Sequence, residues 1–237
     1  MDGLILGLDL CDGYTQLSCW GREENWTLPT AVCRQKDGGW LIGETAYATA
    51  LAGEGSVTDK LIRLVLQDGS DTIYGVKYRA VDLLKCFLEQ VFSLPLEEGK
   101  TVDGSMVKEL VITVPKMKAR LMDGLMYCAD QLKIPRSHVH VISHTEAFMY
   151  FVLSQTRDVW SNHVGLFDLS EKCLCYYEMK VQKNMGQVTA VAEREKLEEG
   201  FALDILSAPQ GVKLADKILC SCGERLLEKK LFSSVFL

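Results

Sequence analysis

No apolar run in the sequence approaches the roughly 20 residues that a helix needs to cross a bilayer, and the start Met1-Asp2-Gly3 lacks the basic stretch of an export signal. A cytoplasmic protein that does not engage a membrane is expected. Positive charge is also scarce, with 26 Lys and Arg against 32 Asp and Glu and a formal net charge of -6. Nucleic-acid binding draws most of its affinity from cations that neutralise phosphates, so this balance excludes a nucleic-acid partner. Zinc-knuckle spacing is missing too. Nine cysteines are present, but Cys173-x-Cys175 and Cys220-x-Cys222 have a one-residue spacer, and no nearby His or Cys completes a four-ligand set. In a strand such a pair lies on one face about 7 Å apart, too far to bridge easily, so the thiols read as reduced and mostly buried. No repeat of solenoid length occurs.

What is present is enough apolar material, 48% of 237 residues, to bury one large domain or two lobes without staples. Strand signals recur at 4–10, 14–20, 28–34, 110–114, 138–142, 163–169 and 173–181. Between them lie two apolar stripes at helix spacing, one of Val81, Leu84, Leu88, Val91 and Phe92, the other of Leu121, Leu125, Cys128, Ala129 and Leu132. These stripes read as core faces. Strand, helix and strand in alternation predict an α/β architecture, a mixed sheet covered by helices. The stretch 95–108 reads as a polar surface loop, and a boundary between lobes is expected at 154–162.

The first strand delivers Asp9 to Cys11-Asp12-Gly13 before a second strand resumes at Tyr14. Asp-Gly between two strands is a hairpin code, and Gly13 is expected to take the positive φ of such a turn. A second apolar strand ends in Asp-Leu at Asp168. Two equivalent hairpins, each with an inward Asp, would clamp a phosphate ligand between two halves.

These landmarks, in order along most of the chain, resemble the ATPase superfamily of actin, hexokinase and the heat-shock chaperones, most closely the chaperone nucleotide-binding domain. Gly7-Leu8-Asp9-Leu10 is similar to its first phosphate hairpin, and Leu41-Ile42-Gly43-Glu44-Thr45-Ala46 to the segment leading into its first helix. Lys108-Glu109-Leu110-Val111-Ile112-Thr113-Val114-Pro115 is similar to the strand before the long first-lobe helix. Val141-Ile142-Ser143-His144-Thr145-Glu146-Ala147 resembles the helix connecting the lobes, Gly165-Leu166-Phe167-Asp168-Leu169 the strand entering the second hairpin, and Lys196-Leu197-Glu198-Glu199-Gly200-Phe201-Ala202-Leu203-Asp204 a turn and helix beyond it.

The resemblance implies a two-lobed actin-like (ribonuclease H-like) fold. Its first lobe would be complete over 1–160, with an insertion at about 28–108, and its second reduced and incomplete at its C-terminal side over 161–237. It implies ATP or ADP with Mg²⁺ as cofactors, the metal held through water by Asp9 and Asp168, and phosphates near Asp12, Gly13, Tyr14, Ser170 and Lys172. Lys60 matches the family's phosphate-facing lysine or is a surface lysine of an amphipathic helix. His144 serves as a base or as a helix-start histidine bonded to backbone, and Lys172 reaches a phosphate or is a solvated turn lysine. The chain departs from the family at both turns, where Cys11-Asp12 and Ser170-Glu171-Lys172 replace small residues. A carboxylate such as Asp12 about 4 Å from a phosphate charge is repelled by roughly 4 kcal/mol at an effective dielectric near 20, unless it belongs simply to the turn. Two functions are therefore expected as alternatives. One is a chaperone-like nucleotide-binding domain whose hydrolysis, if present, is weak; the other is a pseudo-ATPase scaffold for a protein partner that binds no nucleotide.

Overall fold

A computed structural model describes residues 3–97 and 99–154 with their side chains, and the backbone of four strands at 164–169, 173–184, 187–199 and 217–220. The chain divides into two compact units, Met1–His144 and Thr145–Leu237. The class is mixed α/β. No helix among the described residues is long and apolar enough to cross a membrane.

The first unit opens with β1 (Leu4–Leu10) and β2 (Tyr14–Cys19). Both alternate apolar and polar residues, so Leu6, Leu8, Leu10 and Leu17 are buried on one face while Asp9, Gln16 and Ser18 emerge on the other. Next come β3 (Asn25–Pro29) and β4 (Ala31–Gln35). The single strand expected at 28–34 thus breaks at Thr30. Pro29 closes β3, and Thr30 turns its N–H to the Gly13 carbonyl (3.0 Å) and its hydroxyl to the Cys11 carbonyl (2.6 Å), so the chain leaves one sheet for another. β5 (Trp40–Ile42), α1 (Gly43–Leu51) and β6 (Gly55–Asp59) follow. β4, β5 and β6 form a small antiparallel sheet in the order β5-β4-β6.

α2 (Leu61–Leu66) is succeeded by a hairpin of β7 (Ser70–Ile73) and β8 (Val76–Arg79), then by α3 (Ala80–Ser93). β9 (Val107–Val114), α4 (Ala119–Gln131) and β10 (Val139–Ser143) complete the unit. In the main sheet the order is β10-β9-β1-β2-β3. β1, β9 and β10 are parallel, whereas β2 and β3 return antiparallel as a meander. Leu84, Leu88, Val91 and Phe92 of α3 and Leu121, Leu125, Cys128 and Ala129 of α4 are buried with the inward leucines in one core, and Val81 is partly buried against it. The helical stripes therefore cover one sheet face. Arg79 and Tyr127 both bond to the Asp82 carboxylate, tying α3 to α4.

The expected surface loop at 95–108 is partly internal. Val102 is buried, and Gly104 stands where a Cβ would lie 2.2 Å from the Lys133 carbonyl carbon, so no larger residue fits. The cysteine reading holds for Cys19, Cys33 and Cys128, which are buried thiols, while Cys11 and Cys86 are half-buried. Burial pushes the Cys128 thiol up to about 12.

α5 (His144–Ser154) starts directly after β10. The second unit contains β11 (Val164–Leu169), β12 (Cys173–Asn184), β13 (Gln187–Glu199) and β14 (Lys217–Cys220), in the order β13-β12-β11-β14. β11, β12 and β13 form an antiparallel meander and β14 runs parallel to β11. Apart from Ser154, the boundary expected at 154–162 lies outside the described residues.

Candidate functional site

Three parallel strands end side by side in the first unit, and their carboxyl ends carry polar side chains. Open α/β sheets bind ligands at such ends, where the diverging connections leave a crevice. Asp9 is the penultimate residue of β1 and stands in register with Thr113 of β9. Because the two strands are parallel and in register, both side chains leave the sheet on the face away from the leucine core. His144 follows β10 immediately, as the first residue of α5.

These residues meet. The His144 Nε2 lies 2.6 Å from Asp9 Oδ1, and the Thr113 hydroxyl donates to the same oxygen at 2.9 Å. Cys11 Sγ lies 3.8 Å from the same His144 Nε2. The imidazole is 17% exposed and the carboxylate 49%. Burial pushes the Asp9 carboxyl up, but the hydrogen bond and charge of His144 and the hydrogen bond from Thr113 outweigh it, holding the group below the usual carboxylate range. A cavity of about 360 Å³ opens beside it on the same sheet face, lined among others by Gly7, Asp9, Gln16, Ser18, Val111 and Thr113.

The turn next to Asp9 differs from the expected hairpin. It uses three residues, Cys11 to Gly13, closed by the Cys11 N–H donating to the Tyr14 carbonyl at 3.3 Å. Gly13 does not take a positive φ. The reason is tertiary: Thr30 grips the Cys11 and Gly13 carbonyls, and the Thr30 hydroxyl is itself 2.7 Å from the buried Thr15 hydroxyl. Asp12 is drawn elsewhere. Its Oδ1 accepts the Arg63 backbone N–H at 3.0 Å, and its Oδ2 lies 3.9 Å from Arg63 Nε. Arg63 is the third residue of α2, whose preceding residue Lys60 offers no capping bond, so Asp12 caps that helix from 51 residues away.

Lys60 is exposed at the start of α2, in the left-handed region at φ 54. Tyr14 is 59% exposed at the head of β2, paired with Pro29. Asp168 is the penultimate residue of β11, opposite Cys175; its side chain lies outside the described residues, as do Ser170 and Lys172 entirely. The structure thus gathers Asp9 and His144 into one cluster, attaches Asp12 to α2, and leaves Lys60 and Tyr14 exposed.

Sequence reasoning missed two members of the cluster. Thr113 had a signal, since it shares outward parity with Asp9 on a neighbouring parallel strand. Cys11 stood out only as a departure from a pattern, and nothing local foretold a contact with a residue 133 positions away.

A family described as "Family of unknown function (DUF5716) C-terminal" matches residues 13–237, and the chain belongs to it. No curated protein matches the chain.

Proposed function

We propose that this member of the family is a cytoplasmic nucleotide-binding domain of the actin and heat-shock chaperone type, which takes ATP or ADP and whose hydrolysis is weak or lost. The observation that carries the reading is one plan used in both units. In each, a three-strand antiparallel meander begins with a strand whose penultimate residue is Asp, and a later strand joins that first strand in parallel. Asp9 and Asp168 hold the same place in the two meanders. Diversion of Asp12 to Arg63 also favours the reading, since it draws a repelling carboxylate toward a helix start. Gly13, Tyr14, Ser170, Lys172 and Lys60 are the residues assigned to the phosphates.

Magnesium, which the resemblance implies, fits Asp9 poorly. An ion held through its waters needs carboxylate oxygens free to accept from them, and Asp9 Oδ1 is already engaged by His144 Nε2 and by the Thr113 hydroxyl. In-line phosphoryl transfer relies on a metal to neutralise developing charge. That misfit supports weak or absent turnover.

Calorimetry of the full chain with ATP and with ADP, each with and without Mg²⁺, tests the reading. Saturable binding in the micromolar to millimolar range is expected. No heat and no thermal shift at millimolar nucleotide would remove it. The crowding of Asp9 by His144 and Cys11 favours a second reading, a pseudo-ATPase scaffold that serves a protein partner without nucleotide, and a null titration is its expected result.

A further inference from the structure

We infer that Asp9, Cys11 and His144 form a three-donor site for a zinc ion, with a fourth position open to solvent. The inference goes beyond nucleotide binding and does not depend on it. One carboxylate oxygen, one sulfur and one imidazole nitrogen lie within 4.8 Å of one another. This is the mixed N, O and S donor set that zinc takes and magnesium does not.

Geometry separates this role from a nucleophilic one. A Cys-His-Asp relay needs the thiol on one ring nitrogen and the carboxylate on the other, so that a proton can pass through the imidazole. Here both groups approach Nε2, at 3.8 Å and 2.6 Å. Donors that face a common point fit a coordination centre. Tetrahedral zinc, with bonds of about 2.0–2.3 Å, spaces its ligands about 3.3–3.6 Å apart. The sulfur to nitrogen distance nearly has that value, and the Asp9 to His144 contact must open by under about 1 Å. On binding, the Cys11 thiol releases its proton to solvent, His144 coordinates through an unprotonated Nε2 with its ring proton on Nδ1, and no electrons are transferred.

Supporting contacts hold the donors in place. Thr113 donates to Asp9 Oδ1, the kind of outer bond that orients a metal carboxylate. Thr30 fixes the Cys11 backbone through its carbonyl. His144 is set by the junction of β10 and α5 and is mostly buried. Half-exposed Asp9 leaves one side open for water or a substrate oxygen, as in zinc sites that keep a reactive position.

The test uses the untagged full chain, reduced and freed of metal by chelator, in nucleotide-free buffer. Titration with Co²⁺ as the probe is expected to give one equivalent with an intense thiolate-to-cobalt charge-transfer band, abolished when Zn²⁺ displaces the cobalt. Cys11→Ser loses the band, and both Cys11→Ser and His144→Gln weaken zinc binding about tenfold or more. Absence of a thiolate band, or a band and affinity unchanged in Cys11→Ser, overturns the assignment. Should Cys11→Ser fail to fold, alkylation of the unmutated protein decides. One equivalent of Zn²⁺ protects Cys11 in peptide mass spectrometry, and equal labelling with and without zinc overturns the site. A protein that takes zinc in these assays yet gives no heat with ATP or ADP keeps this site and loses the nucleotide reading.

Discussion

Between β1 and β2 the chain turns through Cys11, Asp12 and Gly13; between β7 and β8 it turns through Tyr74 and Gly75. The second hairpin pairs Ile73 with Val76 and has positive φ at both central residues, 51 and 77. That is the condition of the two-residue turn whose twist matches its strands. Asp-Gly carries the stronger sequence code for this turn, yet it does not form one. Its carbonyls belong to Thr30 and its carboxylate to Arg63. The comparison separates a turn that closes by its own backbone from one that distant elements hold open in a shape suited to presenting Asp9 and Cys11.

If that contrast is right, the first hairpin should be most sensitive at a residue outside it. Thr30→Val removes the hydroxyl that bonds the Cys11 carbonyl and the buried Thr15 hydroxyl and is expected to cost about 2 kcal/mol in urea unfolding. A cost below that of any substitution within the β7–β8 turn breaks the comparison. Next in size, Gly75→Ala forces a Cβ into a left-handed conformation and should cost about 1–1.5 kcal/mol. Hydrogen exchange is expected to show its effect confined to β7 and β8.

A smaller effect comes from pH. Asp9 has a folded pKa below its unfolded one, so its contribution is whole above the ordinary carboxylate value of about 3.9 and is lost as pH falls through the folded value. In chelator-treated protein, the stability gap between the natural chain and Asp9→Asn should stay under about 1 kcal/mol, because the group is half exposed, and should close on acidification from about pH 5. A gap that widens below pH 4 has the wrong sign. Smallest of all, Gly13→Ala meets no positive-φ strain and should change stability by under about 0.5 kcal/mol. A loss equal to that of Gly75→Ala would erase the distinction between the turns.

The same contrast explains what was legible in the sequence. Periodicity disclosed β1, β2 and the faces of α3 and α4, because Leu6, Leu8, Leu10 and the leucines of the stripes repeat at the spacing of their own element. It missed β5 to β8, which have three to five residues each and lean on pairing rather than on an apolar face, and it missed β13 and β14, the end of β13 at Lys196 to Glu199 lying where a turn and helix were expected. It merged β3 with β4, since a buried threonine looks like any strand residue until its hydroxyl finds Cys11. At the site, Asp9 and His144 were candidates by residue type and place, whereas Thr113 and Cys11 entered only through register and a contact across the fold. The α/β class followed from local signals; the grouping of donors follows from which strands lie next to each other.

The place of β1 has a cost in time. It lies at the middle of the main sheet, yet its parallel partner β9 begins about a hundred residues later, with Leu4 opposite Val107 and Asp9 opposite Thr113. At synthesis rates of about 5–20 residues per second, the first hairpin waits roughly 5–20 s for that strand. During this interval the apolar face of Leu6, Leu8, Leu10 and Leu17, buried in the finished core, has neither β9 nor α4 to cover it. Such long-range pairing slows folding and exposes sticky surface. The nascent chain should therefore be a client for holding factors at the ribosome until β9, α4 and β10, which ends at Ser143, have emerged.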